Sequence, residues 1–305
     1  DNYSSMMESL GGDYQGIGVE VTISDGAINI VSVFENSPAQ KAGMKIGDKI
    51  VAVDGETANA DNYQESINKI KGVNAEEGDS DVVVTVERGG ERIDMTVVRD
   101  TVSVDTVYSK VLNPNIGYIR ITDFGQKTDV DFKNQLDRLT ADGIKGLIID
   151  LRNNPGGMLT TVVNIADELL PEGVILTVRD KSGKENQYKS NNDCMSVPMC
   201  VLINGNSASA SEVLSGAIRD HGRGKLIGEK SFGKGVVQSI VEFGDGSAFK
   251  LTTAKYYTPS GECIDQTGIK PDIEVKLGDA ASKKQISELT LEEDEQLRTA
   301  LQVLN

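Results

Sequence analysis

The chain of 305 residues carries a formal net charge of −16, and 38% of its residues are hydrophobic. This length suits about two domains, and the composition is typical of a soluble globular protein with a buried core. The acidic balance, without a basic stripe, argues against nucleic acid as a partner and against adhesion to anionic membranes. No apolar run reaches the roughly 18 residues of a membrane span. Because the sequence begins with Asp1 rather than Met, we expect a truncated or processed form. A targeting or anchoring segment could have been removed, so the lack of one does not indicate where the protein is located.

Three cysteines, Cys194, Cys200 and Cys263, occur in the second half of the chain. No C-x-x-C pair exists, so the sequence supports neither a zinc site nor a redox motif, and we expect no metal and no cofactor. Cys194 and Cys200 could form a local disulfide in an oxidising compartment, but free, half-buried thiols are the favoured interpretation.

The segment from residue 16 to 99 predicts short strands and turns. GIGVEVTI and AINIVSVF alternate as two strands of a hairpin around Asp25-Gly26. SPAQKAG predicts a short helix with proline in its first turn, and NYQESINKIKG predicts a second helix that ends at Gly72. DVVVTVERGGERIDMTVVR predicts two further strands joined at its paired glycines.

This order of five to six strands and two helices resembles a PDZ domain. The resemblance lies in Gly16-Ile17-Gly18-Val19, in SPAQKAGMKIGDKIVAVDG and in the second predicted helix. It implies that an extended chain end binds by β-addition between a strand and a helix. It also implies that the backbone N–H groups of Ile17, Gly18 and Val19 hold the terminal carboxylate. Taken alone, the two glycines are also explained by a tight entry into a strand.

From residue 101 to 280, predicted strands alternate with predicted helices, which indicates a layered α/β domain. The strand predictions are NIGYIRITDF, KGLIIDLR, VILTVRD, CVLIN, KLIGE and GVVQSIVEF, and the helix predictions are DVDFKNQLDRLTADG and MLTTVVNIADELL. The continuous apolar run in KGLIIDLR is typical of a strand buried on both faces. LTLEEDEQLRTALQVLN predicts a terminal helix.

Three serines, Ser207, Ser209 and Ser211, alternate in NGNSASASEV, directly before an apolar helical pattern. Ser209-Ala-Ser-Glu212 fits a capping box, which is a far commoner role for such a serine than catalysis. A nucleophile would need a base, and the single histidine, His221, lies at the other end of the predicted helix, about 18 Å away. A Ser-His-Asp triad is therefore excluded, and His221 is expected to interact with the helix C-terminus.

Lysine is the remaining common base for a serine, and it must be neutral to accept a proton. Burial or a neighbouring positive charge lowers the pKa of a lysine and favours its neutral form. We therefore expect the catalytic lysine to lie among apolar residues and to be flanked by glycines. In GEKSFGKGVVQ, Lys230 follows Glu229 and is expected to be exposed. Lys234 lies between Gly233 and Gly235, among apolar residues, and is the preferred base.

SASASE followed by GEKSFGKGVVQ, together with DLRNNPGG and GIKPDIEV, resembles the carboxyl-terminal processing (tail-specific) proteases, which are serine peptidases of the Ser-Lys-Gln type. In that family the nucleophile precedes the lysine by 25 residues and a glutamine follows it by four, which assigns Ser209, Lys234 and Gln238. Ser207 and Ser211 do not fit this spacing. The resemblance implies a PDZ domain followed by a crotonase-like, layered α/β (α+β) peptidase core.

The expected roles follow from the chemistry of each side chain. Ser209 Oγ attacks the scissile carbonyl, and Lys234 takes its proton and later returns it to the leaving amine. Gln238 orients the lysine ammonium. Because positions i and i+4 share one face of a strand, the Lys234 and Gln238 side chains are expected to point the same way.

Two backbone N–H groups are expected to form an oxyanion hole. Ala210 supplies one, because N–H groups at the start of a helix are unpaired. By resemblance, a glycine of the PGG turn supplies the other, with Gly156 preferred to Gly157. Asp150 and Arg152, which precede that turn, are interpreted as an ordinary ion pair at the end of a strand.

We therefore expect residues 1–13 to be the remnant of an N-terminal region, 14–100 a PDZ domain, 101–280 the serine peptidase core and 281–305 a C-terminal helical segment. The expected function is an endopeptidase that recognises the free C-terminal tail of a protein or peptide and cleaves it. The alternative is a catalytically silent PDZ scaffold that binds peptides, and a Ser-Lys amidase of small amides is a weaker rival. The resemblance also implies an extracytoplasmic bacterial setting with anchoring through a missing N-terminal segment, and it leaves a homodimer open.

Overall fold

The computed structural model describes residues 13–34, 37–73, 80–103, 105–113, 115–191, 194–242 and 248–304. These residues fall into two compact units, residues 13–103 and residues 105–304. The remnant expected over residues 1–13 lies outside the described residues, except for its last position.

The first unit consists mainly of antiparallel strands. Its strands are β1 (Asp13–Gly16), β2 (Val19–Ser24), β3 (Ala27–Val33), β4 (Lys49–Val53), β5 (Glu56–Thr57), β6 (Asp81–Arg88), β7 (Glu91–Val98) and β8 (Asp100–Ser103), and its helices are α1 (Pro38–Lys41) and α2 (Tyr63–Lys71). The main sheet has the order β2-β3-β4-β6-β7, β5 pairs with β4, and β1 pairs with β8. β2 is therefore an outer strand of the main sheet.

Local sequence explains where these elements begin and end. The Ser37 hydroxyl accepts a hydrogen bond from the Gln40 N–H at 3.1 Å and caps α1, which has proline in its first turn. α2 ends at Gly72 in the left-handed conformation, with φ of 76°. Asp25 and Gly26 turn the β2–β3 hairpin with φ of 51° and 73°. These three sequence predictions are confirmed.

The second unit contains two sheets and four α-helices among the residues described. Its strands are β9 (Val107–Asn113), β10 (Ile116–Ile121), β11 (Gly146–Asp150), β12 (Gly173–Asp180), β13 (Glu185–Ser190), β14 (Met199–Ile203), β15 (Gly224–Gly228), β16 (Val236–Glu242), β17 (Ala248–Tyr257) and β18 (Ile273–Glu274), and its helices are α3 (Thr128–Ala141), α4 (Leu159–Leu169), α5 (Ala210–Asp220) and α6 (Glu295–Leu304). One sheet has the order β18-β15-β14-β11-β10-β9, and the other has the order β13-β12-β17-β16.

The six-stranded sheet lies between two helical layers. β10, β11, β14, β15 and β18 run parallel, and β9 is antiparallel to β10. Leu147 and Ile149 of β11 pack in the core cluster that includes the inner faces of α3, α4 and α5. Ile148 of the same strand packs instead in a smaller cluster with Leu297 and Ala300 of α6. All five residues of β11 are buried, which confirms the predicted strand with two covered faces.

This sheet fixes where the candidate site lies. β11 and β14 are parallel neighbours, with Asp150 paired to Leu202. The segments that follow them, NNPGG and NGNSASAS, therefore start at the same edge of the sheet. The two loops are in this way brought together, with Asn153 bonded to Asn204, 51 positions further along the chain.

The terminal helix is shorter than the sequence predicts. It begins at Glu295, because the Asp294 carboxylate accepts the Leu297 N–H at 3.0 Å and caps the first turn. Upstream, the Glu293 carboxylate accepts the Thr290 N–H at 3.1 Å in a tight turn. Among the residues described, no helix has both the length and the apolar character that crossing a bilayer requires.

The cysteines do not form the local disulfide considered above. Cys194, Cys200 and Cys263 are free thiols. Cys200 lies buried on β14, where burial raises the pKa of its thiol to about 11.

Candidate active site

Ser209 immediately precedes α5, after the turn that follows β14. Its backbone has φ of 54° and ψ of −113°, a conformation that residues with a side chain rarely adopt. A nucleophilic serine on a strained turn between a strand and a helix is also the arrangement of α/β-hydrolases. The side chain is half-buried. A capping serine alone does not need this strain, so the backbone favours a functional role.

The two flanking serines have structural roles. Ser207 is fully buried, and its hydroxyl donates to the Leu151 carbonyl at 2.8 Å. Ser211 is fully buried, and its hydroxyl donates to the Asn154 carbonyl at 3.0 Å. Both hydroxyls therefore join the segment of residues 204–211, which we call the serine loop, to the loop that follows β11. Since Ser207 and Ser211 are used in this way, Ser209 remains the candidate, as the motif spacing also indicates.

The glycine turn, Gly156 and Gly157, lies directly against Ser209. Gly156 has φ of 112°, and a Cβ added there would lie 2.8 Å from Ser209 Cβ and 3.0 Å from the Ala210 nitrogen. Gly157 has φ of 141°, and its Cβ would lie 2.4 Å from the Phe124 carbonyl oxygen. Both positions therefore require glycine, because two backbones approach too closely for a side chain.

The backbone hydrogen bonds differ among the N–H groups considered as oxyanion donors. The Ala210 N–H, on the first residue of α5, donates to none of the described residues and is free for a ligand. The Gly156 N–H already donates to Asn154 Oδ1 at 2.8 Å. The Gly157 N–H has no acceptor among the residues described. In this conformation Gly157 fits the second donor better than Gly156, which would first have to release Asn154.

Lys234 lies in the loop before β16, and its side chain is exposed. The expectation that Lys234 lies in an apolar environment without water is therefore wrong for this conformation. The flanking glycines do allow another backbone to approach: a Cβ on Gly235 would lie 2.2 Å from the Asp265 nitrogen, and one on Gly233 would lie 3.1 Å from the Gly268 nitrogen. No hydrogen bond joins Lys234 Nζ to Ser209 Oγ, both of which lie in the described part of the chain.

The strand argument that paired Lys234 with Gln238 is also wrong. β16 begins only at Val236, so Lys234 lies outside it. A register shift between Val237 and Gln238 then interrupts the alternation of side chains. The backbone of Gln238 pairs with Thr252, but its side chain lies outside the described part of the structure.

A buried carboxylate connects the serine loop to the loop of residues 229–235 before β16, which carries Lys234 and which we call the lysine loop. Glu212 is fully buried in the first turn of α5. Its Oε2 accepts the Ser209 N–H at 2.9 Å and the Lys234 N–H at 2.8 Å. Its Oε1 accepts the Gly233 N–H at 2.7 Å and the Ser231 hydroxyl at 2.5 Å. The sequence identified Glu212 only as a capping-box residue, since nothing local indicates a contact 22 positions away.

Asp123 is a second carboxyl group that the sequence did not single out. Burial raises its pKa to about 6, although a hydrogen bond with the Phe124 backbone acts in the opposite direction. The neighbouring Phe124 N–H donates to the Gly156 carbonyl at 2.9 Å, and the Phe124 carbonyl accepts the Met158 N–H at 2.7 Å. Asp123 thus adjoins the strand segment that supports the glycine turn.

His221 is placed as the sequence predicts. It ends α5, at the opposite end from Ser209, and its Nε2 lies 2.8 Å from the Val174 carbonyl oxygen. The whole length of α5 therefore separates the histidine from the candidate nucleophile.

In the first unit, Ile17, Gly18 and Val19 form the entry to the outer strand β2. Ile17 is buried, and its carbonyl accepts the Ala39 N–H at 2.7 Å. Gly18 has φ of 83°, and a Cβ there would lie 2.3 Å from Ser37 Cβ. This turn stands beside a sheet edge, as a carboxylate-binding turn for a chain that adds to β2 would require.

A PDZ fold together with an α/β unit that holds a strained serine near a lysine loop is the arrangement of a PDZ-containing serine peptidase. Residues 15–98 match the family model for the PDZ domain, and residues 115–275 match the model for peptidase family S41. The chain belongs to peptidase family S41. These matches confirm the resemblance and the fold class expected from the sequence.

Named relatives agree with this assignment. The chain is 38% identical over 280 residues to the carboxy-terminal processing protease CtpA of Bacillus subtilis, covering 91% of this chain and 59% of that protein. It is 38% identical over 282 residues to a carboxy-terminal-processing protease of Bartonella bacilliformis, covering 89% of this chain and 63% of that protein. The chain thus spans about three fifths of the length of these relatives.

Two solved structures are similar over most of the chain. The photosystem II D1 C-terminal processing protease is 30% identical with a TM-score of 0.56, covering 90% of this chain and 75% of that one. A putative S41 protease from Bacteroides fragilis is 19% identical with a TM-score of 0.60, covering 95% of this chain and 82% of that one. The second likeness supports the fold alone.

Proposed function

We propose that this chain is a serine endopeptidase that binds C-terminal tails through its PDZ domain and cleaves peptide bonds with a Ser209–Lys234 dyad supported by Gln238. The observation that carries the proposal is the strained backbone of Ser209 at the start of α5, with its N–H bonded to the same carboxylate oxygen as the Lys234 N–H.

The geometry supports acyl transfer to serine. Ser209 Oγ attacks the scissile carbonyl carbon, and Lys234 Nζ accepts the hydroxyl proton. The carbonyl oxygen becomes an oxyanion that the Ala210 and Gly157 N–H groups receive, assisted by the positive end of the α5 dipole. Lys234 then donates the proton to the leaving amine, and an acyl-enzyme ester on Ser209 remains. A water molecule, deprotonated by Lys234, hydrolyses that ester and regenerates the hydroxyl.

Proton transfer requires the lysine side chain to move. Lys234 Nζ is exposed and does not contact Ser209 Oγ, whereas the backbone of Lys234 is held near Ser209 by Glu212. Rotation about the side-chain bonds can bring the amine to the hydroxyl without moving the loop. A bound peptide would then exclude water and favour the neutral amine that a base needs.

Tail recognition is supported by the open edge of β2 and by the turn formed by Ile17, Gly18 and Val19. Protein or peptide chains with a free carboxyl end are therefore the proposed substrates. An extracytoplasmic setting, membrane anchoring and a homodimer stay predictions from family resemblance.

The direct test is cleavage of an unfolded protein by the wild type, Ser209→Ala and Lys234→Ala. We expect both variants to lose activity by about 10³-fold or more, because each removes one half of the proton-transfer pair. Lys230→Ala is the matched control, since this lysine is also exposed and lies four positions upstream. It should keep wild-type activity.

A fluorophosphonate probe provides an independent readout. It should label the wild type and fail to label Ser209→Ala. Unchanged labelling and cleavage in Ser209→Ala would disprove the assigned nucleophile. A wild type that binds tail peptides but neither cleaves nor labels would instead be the silent scaffold.

A further inference from the structure

We infer that Glu212 is the positioning residue that sets the distance between nucleophile and base. The inference rests on the proposed function. The Glu212 carboxylate bonds to neither Ser209 Oγ nor the Lys234 amine, and it reaches both residues through their backbone N–H groups. Its place in the capping box of α5 is one part of this role, and its bonds to the lysine loop are the other.

Donors from the two loops occupy the acceptor sites of the Glu212 carboxylate. An ionised carboxylate offers about four acceptor sites, and Glu212 receives four donors, from Ser209, Ser231, Gly233 and Lys234. No ion pair between described residues includes Glu212. An apolar residue at this position would leave these four donors without their acceptor, so the side chain is needed to hold the two loops together.

The two Oε2 bonds fix the separation of the Ser209 and Lys234 backbones, from which the two reacting side chains extend. Because the Ser209 and Lys234 N–H groups bind one oxygen atom, their nitrogens stay within about two hydrogen-bond lengths of each other. Another contact joins the loops, from the Phe232 N–H to the Ser207 carbonyl at 3.0 Å. That contact fixes the loops in general, whereas Glu212 bonds the two dyad residues themselves.

The same bond maintains the strained serine. Donation from the Ser209 N–H to Glu212 helps offset the cost of φ at 54°. The ψ of Ser209 sets the direction of the next N–H, which belongs to Ala210. Glu212 is therefore placed to hold both the attacking oxygen and one oxyanion donor in orientation.

Glu212→Gln tests the inference with little change in size. The glutamine amide presents one oxygen and one NH2 group to four donors, so at least one oxygen position becomes a donor facing donors. We expect kcat to fall by about 10²-fold with little change in KM, as for a displacement of the dyad by about 1 Å. The rate of fluorophosphonate labelling should fall in parallel, because it depends on the dyad and not on peptide binding.

Glu168→Gln is the matched control, since Glu168 is a carboxylate of the same unit that pairs with Lys133 at 3.0 Å near the surface. It should keep wild-type kcat. Wild-type kcat and labelling in Glu212→Gln, together with an inactive Ser209→Ala, would overturn the inference and leave the proposed function intact. Activity that survives Ser209→Ala would instead overturn the proposed function.

A second variant keeps the test decisive if Glu212→Gln fails to fold. Ser231→Ala removes one donor to Oε1 and leaves both bonds of the dyad to Oε2. A looser carboxylate should lower kcat and the labelling rate by a few fold at a temperature well below unfolding. The melting temperature itself should fall, because the Ile269 N–H loses the Ser231 hydroxyl, its acceptor at 2.6 Å. Wild-type kcat in a folded Ser231→Ala would count against the positioning role.

Discussion

Arg152 Nη2 lies 2.8 Å from Asp294 Oδ2 in the interior of the second unit, although the two residues are 142 positions apart in the chain. Asp150 contacts the same guanidinium, with Oδ2 2.6 Å from Nη2, and Gln296 accepts from Nη1 at 3.0 Å. Arg152 and both carboxylates are almost completely buried. The segment that leads into α6 therefore fixes the base of the loop that carries Gly156.

Arg152→Met should destabilise the second unit strongly. Burial acts to raise the pKa of Asp150, but the Arg152 guanidinium outweighs it and holds that pKa below its ordinary value. Removing the cation leaves two buried carboxylates unpaired, which costs about 3–5 kcal/mol. Urea unfolding at pH 7 measures the loss. Arg179→Met is the control, because Arg179 forms a solvent-exposed pair with Glu185, which water screens, and its loss should cost much less. Equal losses for the two variants would contradict the prediction.

Gly156→Ala should reduce catalysis. The new methyl group would press on Ser209 Cβ and on the Ala210 nitrogen, at 2.8 and 3.0 Å, and so displace the proposed nucleophile and a proposed oxyanion donor. We expect kcat for peptide cleavage to fall by about 10²-fold. Gly183→Ala separates strain from contact, because Gly183 also has positive φ, 87°, but no neighbour within 4 Å of an added Cβ. A similar kcat in both variants would show that the contact with Ser209 is unimportant.

Asp123→Asn should stabilise the second unit at neutral pH. Burial raises the pKa of this carboxyl to about 6 from an ordinary value of 3.8, so the folded state binds the proton more tightly than the unfolded state. Wild-type stability therefore decreases as pH rises from about 4 to about 6. Asparagine removes the buried charge, and we expect a gain of about 1–2 kcal/mol at pH 7.5 that shrinks towards pH 4.

Urea midpoints at pH 7.5 and pH 4.5 measure this effect. Asp142→Asn, at an exposed position in the same unit, should change little at either pH. A gain for Asp123→Asn that stays constant with pH would show that the charge of Asp123 does not cause it.

Local patterns predicted most of the fold. Gly72 ends α2, and the apolar run of β11 is buried, as predicted, because a glycine cap and a continuous apolar run are signals that the local sequence carries. β9 and β13 were missed. Their sequences, VYSKVLN and ENQYKS, leave many side chains exposed, because each is an outer strand that pairs only with its neighbour in the chain, β10 or β12. Outer strands of this kind lack the apolar alternation that predicts a strand.

The candidate site also has features that the sequence predicted and features that only the structure shows. The spacing of the motifs and the family resemblance singled out Ser209 and the glycine turn, and the structure brings these together. The exposure of Lys234 depends on a side-chain conformation, and the Asn154 bond to Gly156 depends on loop geometry. The contacts of Glu212 join elements that no local pattern relates.

Gly18→Ala should weaken tail binding. A Cβ would lie 2.3 Å from Ser37 Cβ in a turn with φ of 83°, so the turn beside β2 must move. In a Ser209→Ala background, which prevents cleavage, we expect at least about a tenfold weaker affinity for a fluorescent peptide with a free carboxyl end. The Ser209→Ala chain with an unchanged Gly18 should bind the amidated peptide weakly, because the carboxylate is the group that the proposal has the turn recognise.

Gly26→Ala is the matched control for Gly18→Ala, since its φ is 73° and nothing lies within 4 Å of an added Cβ. It should keep wild-type affinity. In chains that retain Ser209, Gly18→Ala should slow cleavage of tailed substrates while fluorophosphonate labelling continues at the wild-type rate. Equal binding of free and amidated peptides would mean that the turn formed by Ile17, Gly18 and Val19 does not hold a carboxylate, and tail recognition would then need another surface.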